Sequence, residues 1–151
     1  MGQTPKTASQ YMEEANQVVE RLSPEVAIPR HGDSNVVFID VRDGKDIDQT
    51  GTIAGALRIP RGVIEFAADD TSKLYNPALT KDKEIMVVCA AGGMAALTGR
   101  TLHEMGYPTV YNVYVTYCWS FVSTRNLIPV ISAVFIYDMI QIVYASLSHS
   151  G

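Results

Sequence analysis

Four short apolar runs, each separated from the next by more chain than a hairpin needs, limit how this sequence can fold. Val36–Ile39 in "NVVFIDVRD" is apolar without alternation, the pattern of a strand covered on both faces. "GALRIP" supplies a second short strand ending at Pro60, "EIMVVC" a third ending on Cys89, and Thr109–Val113 in "TVYNV" a fourth. Helix signals stand between them. Ser23-Pro24-Glu25 reads as a helix start, with Ser as N-cap and Pro in the first turn, closed by Pro29 and Gly32. After Cys89, Met94, Leu97, Thr101 and Met105 share one predicted helix face, and Gly106 with Pro108 stops that helix. Upstream, Val18, Val19 and Leu22 carry a helical spacing through "YMEEANQVVERL". Strands alternating with helices in this way predict one α/β domain, with a central, mainly parallel sheet flanked by helices.

Ligands of such sheets bind beyond the carboxyl ends of the strands. Asp40-Val41-Arg42, Pro60-Arg61 and Cys89 all fall there, so one rim is expected to hold a thiol and two guanidiniums. Cys89 is followed by Ala90, Ala91, Gly92, Gly93, Met94 and Ala95, and then by the body of a helix. A helix N-terminus offers unpaired N–H groups and a partial positive charge, and the glycines let the backbone curl so that several N–H groups face inward. An anionic sulfur is stabilised there without a charged side chain, which suits a nucleophilic cysteine carrying a covalent intermediate. The plainer alternative is that Cys89 is a small core residue, as free cysteines often are.

"VVFIDVRD", "GTIAGALRIPRG" and "KEIMVVCAAGGMAALTGRTLHEMGYPTVYNV", in this order and spacing, resemble the rhodanese-like domains from about Ser23 to Val113. The resemblance implies a rhodanese-like α/β fold and sulfur transfer. A sulfane sulfur from thiosulfate or a similar donor would be held as a Cys89 persulfide and passed to a thiol or cyanide acceptor. The thiol could be a protein's. On this reading Cys89 is catalytic, Ala90 to Ala95 form the loop that cradles the persulfide, and Asp40 and Arg42 support the site; no metal or organic cofactor takes part. Two departures stand out. Many members carry a basic residue where this chain has Met94, and Ser where it has Ala95, so Arg61 is the candidate to bring positive charge to the donor from across the rim. "GTIAGA" also lacks the His and Pro of the family's "GHIPGA".

Two other classes compete. A cysteine phosphatase of related fold needs Cys-x5-Arg to clamp phosphate; Ala95 occupies that place and the next basic residue is Arg100. A non-catalytic docking module would keep the scaffold without the chemistry. The net charge of −4 argues against nucleic acid as a partner. His31, His103 and His149 are scattered beyond metal-ligand spacing. Two cysteines make no disulfide framework, and Met1–Asn16 holds no apolar signal core, so a reducing, cytoplasmic setting is expected.

The expected organisation is a helical extension at 1–22, the rhodanese-like domain at 23–119 with Trp119 near its end, and a divergent hydrophobic tail at 120–151. Leu127 to Leu147 is long enough to span a bilayer. Arg125 before it, and no Lys or Arg after it, would leave the domain on the cytoplasmic side. Asp138 near its middle, Pro129 and Gln141 oppose such a span, and its Val, Ile and Tyr suit strands as well. A membrane anchor, a packing element completing the domain or a homodimer, and a sequence that is no selected continuation of the domain all stay open. If Arg61 meets the donor, Arg61→Ala is expected to raise the Michaelis constant for thiosulfate more than it lowers turnover in a steady-state assay.

Overall fold

The computed structural model describes residues 4–114. Cys118, Trp119, His149 and the tail with its 127–147 stretch lie outside them. Five parallel strands form one sheet in the order β1-β5-β4-β2-β3. The strands are β1 Glu20–Leu22, β2 Val36–Asp40, β3 Leu57–Arg58, β4 Glu84–Cys89 and β5 Val110–Tyr114. The helices are α1 Ala8–Val18, α2 Pro24–Ala27, α3 Gly44–Thr50, α4 Ile64–Ala67 and α5 Gly93–Glu104. The expected parallel α/β architecture is the observed one.

Strand β4 is the centre. Its alternate residues feed two cores, as a period of two requires. Ile85, Val87 and Cys89 pack with Ile39, Ile64, Ala95 and Leu102 on the face covered by α4 and α5. Met86 and Val88 pack with Leu22, Ala27, Phe38, Ile53 and Val113 on the other. Burial on both faces is why Val36–Ile39 and Ile85–Val88 read as unbroken apolar runs. Tyr107 ties the long connection before β4 to this core: its hydroxyl donates to the carbonyls of Ala68, at 2.8 Å, and Leu79, at 3.2 Å. Burial pushes its phenol up to about 12.

Two local expectations are corrected. The helical spacing through Leu22 overran its helix, because α1 ends at Val18 and Glu20–Leu22 forms the edge strand β1 against β5. Part of the expected 1–22 helical extension is therefore sheet. The buried face of α5 also differs from the expected one. Ala95, Ala96, Thr98, Gly99 and Leu102 are its buried residues, while Met94 is exposed and Leu97, Thr101 and Met105 are only partly covered. The reason is close packing of α1 and the start of β1 on this helix. A Cβ on Gly99 would stand 2.7 Å from Cγ1 of Val19 and 3.0 Å from its Cγ2. Small residues face inward where two backbones approach.

Gly99→Ala would gain about 1 kcal/mol of helix propensity and lose roughly 1–3 kcal/mol to overpacking against a stiff β-branched neighbour. The expected net effect in urea unfolding is a loss of about 1 kcal/mol, partly recovered when Val19→Ala is added. A Gly99→Ala protein as stable as the parent would show that α1 yields without cost.

Candidate active site

Helix α5 begins at Gly93 on an N-cap, Gly92, that has no side chain with which to cap it. An uncapped helix start leaves N–H groups needing acceptors. Cys89, the last residue of β4, supplies one. Its Sγ accepts hydrogen bonds from the N–H of Gly92 at 3.1 Å and of Ala95 at 3.4 Å. Ala95 is the third residue of the helix, the position whose N–H a Ser or Asp N-cap would take. The sulfur thus fills the role of a capping oxygen, and the thiol is buried at 2% exposure.

The corner that makes this geometry is Gly92, at φ +83° in the left-handed region that glycine enters without steric cost. The Gly92 carbonyl accepts from Ala96 N–H at 2.9 Å and from Nδ2 of Asn112 at 3.0 Å. Asn112 is 1% exposed on β5, and its Oδ1 has no partner among the described residues. Sequence reasoning did not single out Asn112. The available signal was an amide inside the otherwise apolar or aromatic run Val110–Tyr114. Ala90 and Ala91 lie exposed on the turn, Gly93 packs near Met12 of α1, and Met94 points outward.

Asp40 and Arg42 leave the end of β2 as one buried unit. Nε of Arg42 donates to Oδ1 of Asp40 at 3.0 Å and Nη2 to Oδ2 at 2.6 Å. The guanidinium also holds the hydroxyl of Thr50 at 3.0 Å and the carbonyl of Gly51 at 2.8 Å, while Thr52 donates to Asp40 at 2.7 Å. Together these bonds pin the turn after α3. Burial alone would raise the Asp40 carboxyl, but the bonds from Arg42 and Thr52 outweigh it and hold the group below its ordinary value of 3.8. Arg42 is held above its ordinary value, chiefly by the hydrogen bond to Asp40, with a minor contribution from Cys89.

Arg61 follows β3 on the same rim. Its Nη1 pairs with Glu65 at 2.8 Å and its Nη2 donates to Thr101 at 3.1 Å, so the charge expected to meet a donor is offset by a carboxylate. No group of three or more His, Cys, Asp or Glu side chains that could hold a metal occurs among the described residues. No helix among them is long and apolar enough to cross a membrane.

A family model described as "Rhodanese-like domain" matches residues 23–122. A solved structure from Rhodopseudomonas palustris, a protein of unknown function described as a possible tyrosine phosphatase, is 34% identical over 76% of this chain and 89% of its own, with a TM-score of 0.69. A NAD-dependent persulfide reductase from A. fulgidus is 21% identical over 70% of this chain and 16% of its own. Its TM-score of 0.48 is too low to bear on function. No curated protein matches the sequence.

Asp40→Asn would leave the buried Arg42 without its counter-charge, and the expected cost is about 3 kcal/mol in denaturant unfolding at neutral pH. The sign of the pH dependence follows from the depressed carboxyl. The pair's contribution is present above the ordinary carboxyl value of 3.8 and is lost as pH falls through the lower, folded-state value. The variant should lack that share of the acid dependence.

Proposed function

This chain belongs to the rhodanese-like domain family, and we propose that it is a sulfurtransferase working through a persulfide on Cys89. The observation that carries the proposal is the pair of N–H groups, from Gly92 and Ala95, that converge on Sγ from the start of α5. Hydrogen bonds to an anion are stronger than those to a neutral acceptor, so donors fixed in place before reaction favour both the thiolate and the persulfide anion that replaces it. In the first half-reaction the Cys89 thiolate attacks the outer sulfur of thiosulfate. A new S–S bond forms, the bond to the sulfonate sulfur breaks, and sulfite leaves with the electron pair. In the second, an acceptor thiolate attacks the outer sulfur of the persulfide, and the Cys89 thiolate departs. Arg61 would add a partly neutralised positive charge to the rim.

The description of the Rhodopseudomonas palustris protein gives the phosphatase reading some support. Phosphate transfer through a cysteine relies on a guanidinium folded over the phosphate. This loop places Ala95 at that position, and Arg100 is engaged by Glu14 and Glu104. Sulfur transfer asks less of the loop, since the group passed on is one sulfur atom that N–H donors can hold.

The test is intact mass of the parent and of Cys89→Ser, before and after thiosulfate. One added sulfur that requires Cys89 and is removed by cyanide is the expected result. A folded parent protein that gains no sulfur would overturn thiosulfate as the donor and favour a docking role.

A further inference from the structure

Six arginines fall within the described residues, and five of them are paired with carboxylates: Arg30 with Glu84, Arg42 with Asp40, Arg58 with Asp48, Arg61 with Glu65, and Arg100 with both Glu14 and Glu104. Arg21 is the exception. It is exposed and has no carboxylate partner among the described residues. Its guanidinium carbon lies 4.2 Å from the centre of the Tyr114 ring. Stacking on an aromatic face holds a cation in position while leaving its N–H donors free to bind.

That position is beside the sulfur loop. Tyr114 is the register partner of Cys89 across β4 and β5. Nη2 of Arg21 stands 3.5 Å from where a Cβ on Gly92 would lie, and the Gly92 N–H donates to Cys89 Sγ at 3.1 Å. Covalent geometry then bounds the distance from Nη2 to Sγ at roughly 9 Å. At that separation a charge on Nη2 is within electrostatic reach of an anionic group carried on the Cys89 sulfur. The loop offers no cation of its own, because Ala90 to Ala95 carry none.

We propose that Arg21, delivered by the edge strand β1, receives the anionic part of the sulfur donor at the Cys89 site and selects for negatively charged donors. The proposal rests on reading Cys89 as the sulfur carrier. Arg21 does for the loop what a basic residue within it would do, from the other side of Gly92. It is a specificity residue that meets the donor and takes no part in moving protons or electrons.

The test is chosen to read charge recognition apart from sulfur transfer. Full-length protein is alkylated with iodoacetate, an anion, and separately with iodoacetamide, which is neutral, and the rates are read on the Cys89-bearing peptide by mass spectrometry. The ratio of the two rates cancels any change in how much of the thiol is ionised. Arg21→Gln should lower that ratio about three- to fivefold, the size expected of one partly screened charge at this range. Arg21→Lys should restore most of it, and Arg21→Gln should raise the Michaelis constant for thiosulfate with little change in turnover. An unchanged alkylation ratio in Arg21→Gln would overturn the proposal. If the ratio falls while thiosulfate leaves no sulfur on the parent's Cys89, anion recognition by Arg21 is supported and sulfur transfer from thiosulfate is the reading that fails.

Discussion

Helix α5 starts without a side chain to cap it, and the geometry around Cys89 follows from how that deficit is met. Gly92 gives up the usual Ser or Asp, and the donors it leaves open turn to the sulfur of Cys89. The same residue makes the left-handed corner, and its missing side chain leaves the space into which Arg21 and Asn112 reach, with atoms 3.5 Å and 3.6 Å from where a Cβ would stand. Cap, corner and rim share one residue, so a side chain at Gly92 would strain the backbone and crowd both neighbours together.

The alternation of buried strands with helices was legible because burial on both faces leaves a continuous apolar signature, as in Val36–Ile39 and Ile85–Val88. Cys89 was legible for the opposite reason: glycines directly after a buried strand mark a turn into a helix start. Strand β1 was not. It is three residues long, and Val18, Val19 and Leu22 mimic a helical stripe across the point where helix gives way to strand. The buried face of α5 was hidden because close approach to Val19 selects Ala and Gly, which carry no hydrophobic periodicity. The placement of Arg21 was invisible, since only the pairing of β1 with β5 sets it over Tyr114 beside the loop.

The charged groups divide by burial. Asp40 and Arg42 are nearly closed off from solvent and are matched bond for bond, down to the turn at Gly51, and these bonds hold the end of β2. Arg61 is more accessible but is held by Glu65 and Thr101. A guanidinium already satisfied by a carboxylate must surrender that partner to meet an incoming anion. Arg21, resting on an aromatic ring, has no partner of comparable strength to surrender among the described residues.

The sheet order puts the first strand of the described chain beside the last. Glu20 pairs with Tyr111 and Leu22 with Val113, so this contact has high contact order and its loop closure is an entropic burden on folding. During synthesis β4, with Cys89 at its end, is complete before β5 exists, and β1 has no edge to join until β5 has emerged from the ribosome. The cysteine is therefore made before Arg21 and Tyr114 can come together beside it. Among the described residues, β5 therefore completes the loop, through Asn112 at Gly92, and the rim, through Tyr114 under Arg21.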